Sequence, residues 1–112
     1  MSVTVFIEYK LDLFKLTQFE QHANRWGEII PICGGDLLGY LLPHEGSNKL
    51  AFGLITFDSL GDYERYRRRL RKDQQGDDNF QFAHTHKFIL EEKRSFLTVV
   101  SGTYKQPPRS LR

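Results

Sequence analysis

Residues 49–57 read KLAFGLITF, with no charged residue after Lys49. The run is rich in β-branched and aromatic residues and short for a helix, which favours a strand. As a strand it puts Leu50, Phe52 and Leu54 on one face and Ala51, Ile55 and Phe57 on the other. A sheet covered on one side alternates apolar with polar residues. This strand does not alternate, so both of its faces need burial. DLLGYLLP (36–43) has the same two-sided apolar character. The fold must therefore cover a sheet on both sides.

The remaining segments supply one of those covers. VTVFIEYKL (3–11) is a first strand, with Val3, Val5, Ile7 and Tyr9 on one face and Thr4, Phe6, Glu8 and Lys10 on the other. In FKLTQFEQHANRWGEIIPI, residues Leu16, Phe19, Ala23, Trp26 and Ile30 recur at three- and four-residue steps and form an amphipathic helix. Pro31 and Gly34-Gly35 end it. HEGSN links 36–43 to 49–57 as a hairpin-type turn. Asp58-Ser59 offers an N-cap to a helix with an apolar stripe of Tyr63, Tyr66 and Leu70. DQQGDDN (73–79) breaks that helix, a further helix is expected over 80–93, and SFLTVV (95–100) is the closing strand.

The order β-α-β-β-α-β is the ferredoxin-like pattern of an α+β fold, with one four-stranded antiparallel sheet and helices on one side. Residues 1–100 form this single domain, followed by a polar, Pro-containing tail over 101–112. No helix is left for the second sheet face. A second copy of the chain is the simplest cover, and each aromatic would bury roughly 10² Å² there. The expected partner is thus a homodimer mate, docked through the sheet face.

Composition narrows the function classes. The net charge of +2 is too small to imply a polyanionic partner by itself. RYRRRLRK (65–72) places six basic residues on one helix, but Asp62, Glu64, Asp73, Asp77 and Asp78 flank it. A solvated helix face is expected there rather than nucleic-acid binding, since the strands also lack a base-stacking motif. Cys33 is the sole cysteine, so no internal disulfide can form. The four histidines have no zinc-type spacing, and neither a metal nor another cofactor is expected. With no signal-type start and no apolar run of membrane-spanning length, a cytoplasmic location is expected.

The chemistry-bearing candidates are histidines among aromatics. In FQFAHTHKF, His84 and His86 lie about 160° apart on a helix, so they cannot grip one metal together. His86 shares an arc with Phe82, Ala83, Ile89 and Leu90 and is expected to face inward, either as a core histidine or as a pocket acid/base or heme ligand. His22 sits one turn before Trp26. Both helices pack on one sheet face, so His22, Trp26 and His86 are candidates to meet Tyr9 and Tyr40 around one ligand-binding aromatic cavity. His86 and His22 are the catalytic candidates if there is a reaction.

GGDLLGYLLPHEGSNKLAFGLITFDSLGDYERYRRRL (34–70) resembles the NIPSNAP family, within the dimeric α+β barrel group of ferredoxin-like proteins. The likeness includes the small-residue turn, the strand with Gly39-Tyr40, the turn at Glu45, Gly46 and Asn48, and the strand running into Asp58-Ser59. The opening strand ending in Tyr9 and the closing FLTVV extend it over about 3–100. The resemblance implies a homodimer and no defined reaction, with a small apolar or aromatic molecule or a protein as partner. FQFAHTHKF is also similar to the helix before the last strand in cofactor-independent and heme-degrading monooxygenases of the same barrel group. That second likeness implies a small monooxygenase or isomerase, with His86 or His22 as proton carrier.

Overall fold

Strand β1 (Val3–Leu11) lies inside a four-stranded antiparallel sheet, in a computed structural model that describes residues 2–103. The other strands are β2 (Asp36–Leu41), β3 (Leu50–Phe57) and β4 (Ile89–Leu97), in the order β2-β3-β1-β4. Helices α1 (Leu16–Ile32), α2 (Leu60–Lys72) and α3 (Gln74–His86) complete the ferredoxin-like α+β fold. No helix among the described residues is long and apolar enough to cross a membrane.

Register follows side-chain pattern. Val5 pairs with Ile55 and Tyr9 with Ala51, so the apolar residues of β1 and β3 fall on the helix-covered face together. Val5, Ile7, Tyr9, Leu11, Ala51, Ile55 and Phe57 are buried there. A slip of one residue would turn all of them outward. From the helices, Phe19, Trp26, Ile30, Tyr66 and Leu70 pack onto this face. Phe19 and Phe88 are fully buried and meet edge-on at 6.1 Å. Each such ring stabilises the fold by about 1.5–3 kcal/mol relative to exposure.

The opposite face is half-open. Phe6 and Phe52 stack in parallel at 5.4 Å, and Thr4 and Thr56 share a 3.0 Å hydroxyl hydrogen bond across the strands. Leu41 and Leu97 are exposed. The two-sided apolar character of β3 is thus real, and one side of it lacks a cover among the described residues.

The C-terminal third corrects the sequence reading. DQQGDDN ends α2 at Lys72 as expected, but residues from Gln74 onward already belong to the next helix. Asp73 accepts a hydrogen bond from the Gly76 backbone N–H and caps α3, which begins at Gln74. A side chain at position 76 would meet the Leu70 carbonyl oxygen at 2.6 Å, so only glycine lets α3 start this close to the end of α2. The helix expected over 80–93 stops at His86, where Lys87 adopts the left-handed conformation with φ 53°. Ile89–Leu97 is then strand, six residues earlier than the expected start at 95. The tail expected over 101–112 lies outside the described residues from position 104 onward.

Candidate functional site

A cavity of about 290 Å³ opens between the sheet and the three helices. Its depth is apolar, with Ile7, Ile30, Ile55 and Leu70, and its aromatic walls include Trp26 and Phe80. The half-buried or exposed residues Arg67, His84, Glu92 and Arg94 line its outer part. The position follows from topology: β4 is an edge strand, and its inward residues Glu92 and Arg94 lie opposite Tyr9 and Ile7.

Four of the five sequence candidates converge here. Tyr9, His22, Trp26 and Tyr40 all line the cavity. The Tyr9 and Tyr40 hydroxyls are 3.4 Å apart. Tyr40 reaches that position by lying across Gly53, where any Cβ would come within 2.8 Å of the Tyr40 ring. Burial holds the Tyr9 phenol above its ordinary pKa, although the Tyr40 hydrogen bond works the other way; Tyr40 and Tyr66 are raised by burial as well. All three stay protonated near neutral pH and can donate hydrogen bonds.

His86 does not join them. It is exposed at the last turn of α3, its ring lies 4.6 Å from Phe82, and its carbonyl oxygen accepts from the Lys15 Nζ. The space beneath the helix end is filled by Phe88, whose ring is 5.3 Å from His22. The inward stripe of α3 is Gly76, Asn79, Phe80 and Ala83, and His84 stands at the outer part of the cavity.

His22 is buried and fully engaged. An indole nitrogen only donates, so the 2.9 Å bond from Trp26 Nε1 makes His22 Nε2 an acceptor. The proton is then on Nδ1, which donates to Asn79 Oδ1 at 3.1 Å. Asn79 Nδ2 in turn donates to the His22 carbonyl oxygen at 3.0 Å. One amide, 1% exposed, thereby clips α3 to α1. Burial lowers the His22 pKa to about 4, although the bonds to Asn79 act in the opposite sense. The ring is neutral at pH 7 and has no free nitrogen for proton transfer.

Asn79, Tyr66, Glu92 and Arg94 are the residues that the sequence reading missed. Arg94 donates from Nε to Glu92 Oε2 at 2.9 Å and from Nη1 to the Tyr63 hydroxyl at 3.0 Å. Burial opposes its charge, but the bond to Glu92 and the charge of Glu92 more than offset this and leave its pKa above the usual value. Among the described residues, no group of His, Cys, Asp or Glu is arranged to hold a metal ion.

The NIPSNAP family model matches residues 4–102. The chain belongs to the NIPSNAP family. Solved NIPSNAP structures share its fold. An uncharacterized NIPSNAP-like domain protein of Burkholderia xenovorans superposes with a TM-score of 0.75 at 21% identity, covering 96% of this chain and 92% of that one. A NIPSNAP family protein of Agrobacterium tumefaciens gives 0.76 at 19% identity, covering 91% and 89%. The fold also extends beyond NIPSNAP proteins. A Nitrosomonas europaea protein named as antibiotic biosynthesis monooxygenase-like gives 0.67 at 11% identity, covering 89% and 99%. No curated protein matches the chain.

Proposed function

We propose that this NIPSNAP family chain is a homodimeric binding domain that holds a small apolar or aromatic molecule in the cavity between sheet and helices. The observation that carries the binding role is the state of His22. A catalytic histidine needs an orienting partner and a free nitrogen facing the reactant. His22 has the partner, Asn79, but Trp26 occupies the nitrogen a substrate would need. What is left is a cavity with aromatic walls and neutral hydroxyl donors, suited to holding a molecule. A monooxygenase role draws support from the shared fold and from the likeness of FQFAHTHKF, but His86 of that segment is exposed.

The dimer rests on the half-open sheet face. Phe6, Phe52 and Leu54 form an apolar centre on it, and a second copy would cover that centre with the same residues by two-fold symmetry. In sedimentation velocity the wild type is expected as a dimer and Phe52→Glu as a folded monomer. A monomeric wild type at tens of micromolar overturns this part.

The binding role is tested by adding heme and a panel of neutral polycyclic phenols to the purified protein in air. Thermal shift and absorbance are followed together. At least one phenol is expected to raise the melting temperature while its own spectrum stays constant. Steady conversion of a phenol would replace binding with oxygenase chemistry. No shift with any compound would remove heme and neutral phenols as ligands, leaving an ionised ligand or a protein partner.

A further inference from the structure

We infer that the cavity takes a small monoanionic acid, a flat apolar body of one or two rings bearing one carboxylate, with the carboxylate at the Arg94 end. This deepens the proposed binding role and rests on it. At about 290 Å³ the cavity lies at the small end of ligand sites. Its polarity is graded, since the depth is aliphatic and aromatic while the charged residues are those nearest solvent. A ligand that satisfies both ends is amphipathic.

The sign of the polar end follows from its donors and charges. Arg67 and Arg94 line the cavity against a single carboxylate, Glu92, so the formally charged lining side chains sum to +1. A neutral ligand leaves that charge uncompensated in a partly enclosed space, and a dianion reverses it. A monoanion cancels it. Glu92 is already bound to Arg94 Nε, so it does not exhaust the guanidinium. Of the five N–H donors on Arg94, the hydrogen bonds among the described residues use two. The planar fork of a guanidinium matches a carboxylate in shape and charge. The Tyr66 hydroxyl, and whichever of the Tyr9 and Tyr40 hydroxyls accepts in their mutual bond, are further neutral donors lining the cavity. Acceptor oxygens on the ligand are therefore favoured over ligand N–H groups.

The test compares two probes of nearly equal shape, 1-naphthoate and 1-naphthamide, titrated into the full chain at pH 7.5 by calorimetry. Naphthoate is expected to bind at least about tenfold more tightly. Arg94→Gln should bring the ratio toward one, with far-UV dichroism used to check folding. Should that variant not fold, Arg67→Gln changes only a half-buried α2 position and should lower the ratio several-fold. Equal or tighter binding of naphthamide overturns the inference and leaves the cavity as a neutral-ligand site. A naphthoate preference that survives both substitutions also overturns it. Failure of both probes to bind removes the small-molecule reading as well.

Discussion

Trp26 and His22 stand one helical turn apart on α1, and the indole N–H of the first ends on the Nε2 of the second at 2.9 Å. The bond fixes the tautomer and turns a residue type often used for proton transfer into a brace between helices. Its consequences can be measured.

The first is a pH dependence of stability. The folded pKa of His22 is about 4, below the ordinary 6.5, so the unfolded chain binds more protons between those values. The stability from the neutral ring is fully present above about pH 6.5 and is lost as pH falls toward 4. At about 1.4 kcal/mol per unit, roughly 3 kcal/mol is at stake. Urea unfolding at pH 7.5 and 4.5 should show that loss, and a smaller one in His22→Gln. Equal losses in both proteins would remove His22 as the cause.

Burial sets the sign of that effect, and the side chain at position 79 works against it. Asn79→Asp places a carboxylate beside the Nδ1–H of His22, which favours the imidazolium. The ring should then titrate above its present value of about 4 by NMR, against the Trp26 N–H that faces the nitrogen to be protonated. Asn79→Ala deletes both bonds between α1 and α3 and should cost about 2–4 kcal/mol. A small cost would mean that water replaces the amide.

Two helical glycines should respond in opposite directions. Nothing lies within 4 Å of a Cβ at Gly27, so Gly27→Ala should stabilise α1 by about 0.5–1 kcal/mol. Gly76→Ala drives its Cβ against the Leu70 carbonyl oxygen and should destabilise by about 1–3 kcal/mol. Melting temperatures that move the same way would contradict the packing of α2 against α3.

Gly53→Ala tests the cavity wall. The new methyl displaces the Tyr40 ring and separates its hydroxyl from that of Tyr9. A loss of about 1–3 kcal/mol is expected, together with altered chemical shifts at Tyr9 and Trp26. Unchanged shifts at both would show that Tyr40 is not held by the close approach at Gly53.

The sequence was readable wherever one periodicity dominated. β1, α1 and α2 carry clean two-fold or 3.6-residue patterns, β2 and β3 are short apolar runs bounded by turn residues, and Ser59 caps α2 as its type suggests. Tyr9, His22, Trp26 and Tyr40 could be placed together because their elements share one sheet face. Residues 73–93 were misread for local reasons. Gly76 and its acidic neighbours look like a break, although the glycine serves a close helix approach. Helical spacing through Ile89 and Leu90 is accidental, because Lys87 has already left the helix. The polar run EEKR hid an edge strand whose Glu92 and Arg94 face the cavity while Glu91 and Lys93 face away. A stripe count over Gly76, Asn79, Phe80 and Ala83 would have pointed to Asn79. The i,i+4 spacing of His22 and Trp26 signals contact, but not which ring nitrogen the indole N–H would occupy.

The order β2-β3-β1-β4 also sets a timetable. β1 lies between two partners, and Tyr9 waits for Glu92, 83 residues further along the chain. During synthesis β1 can pair with β3 while its other edge stays bare, and the cavity has no outer wall until β4 arrives. Long-range pairing of this kind slows folding and leaves an exposed strand edge open to wrong partners. Synthesis that stalls before Ile89 would therefore yield an open-edged, aggregation-prone chain with no pocket to stabilise by ligand. Any ligand for this cavity could act only on the finished protein.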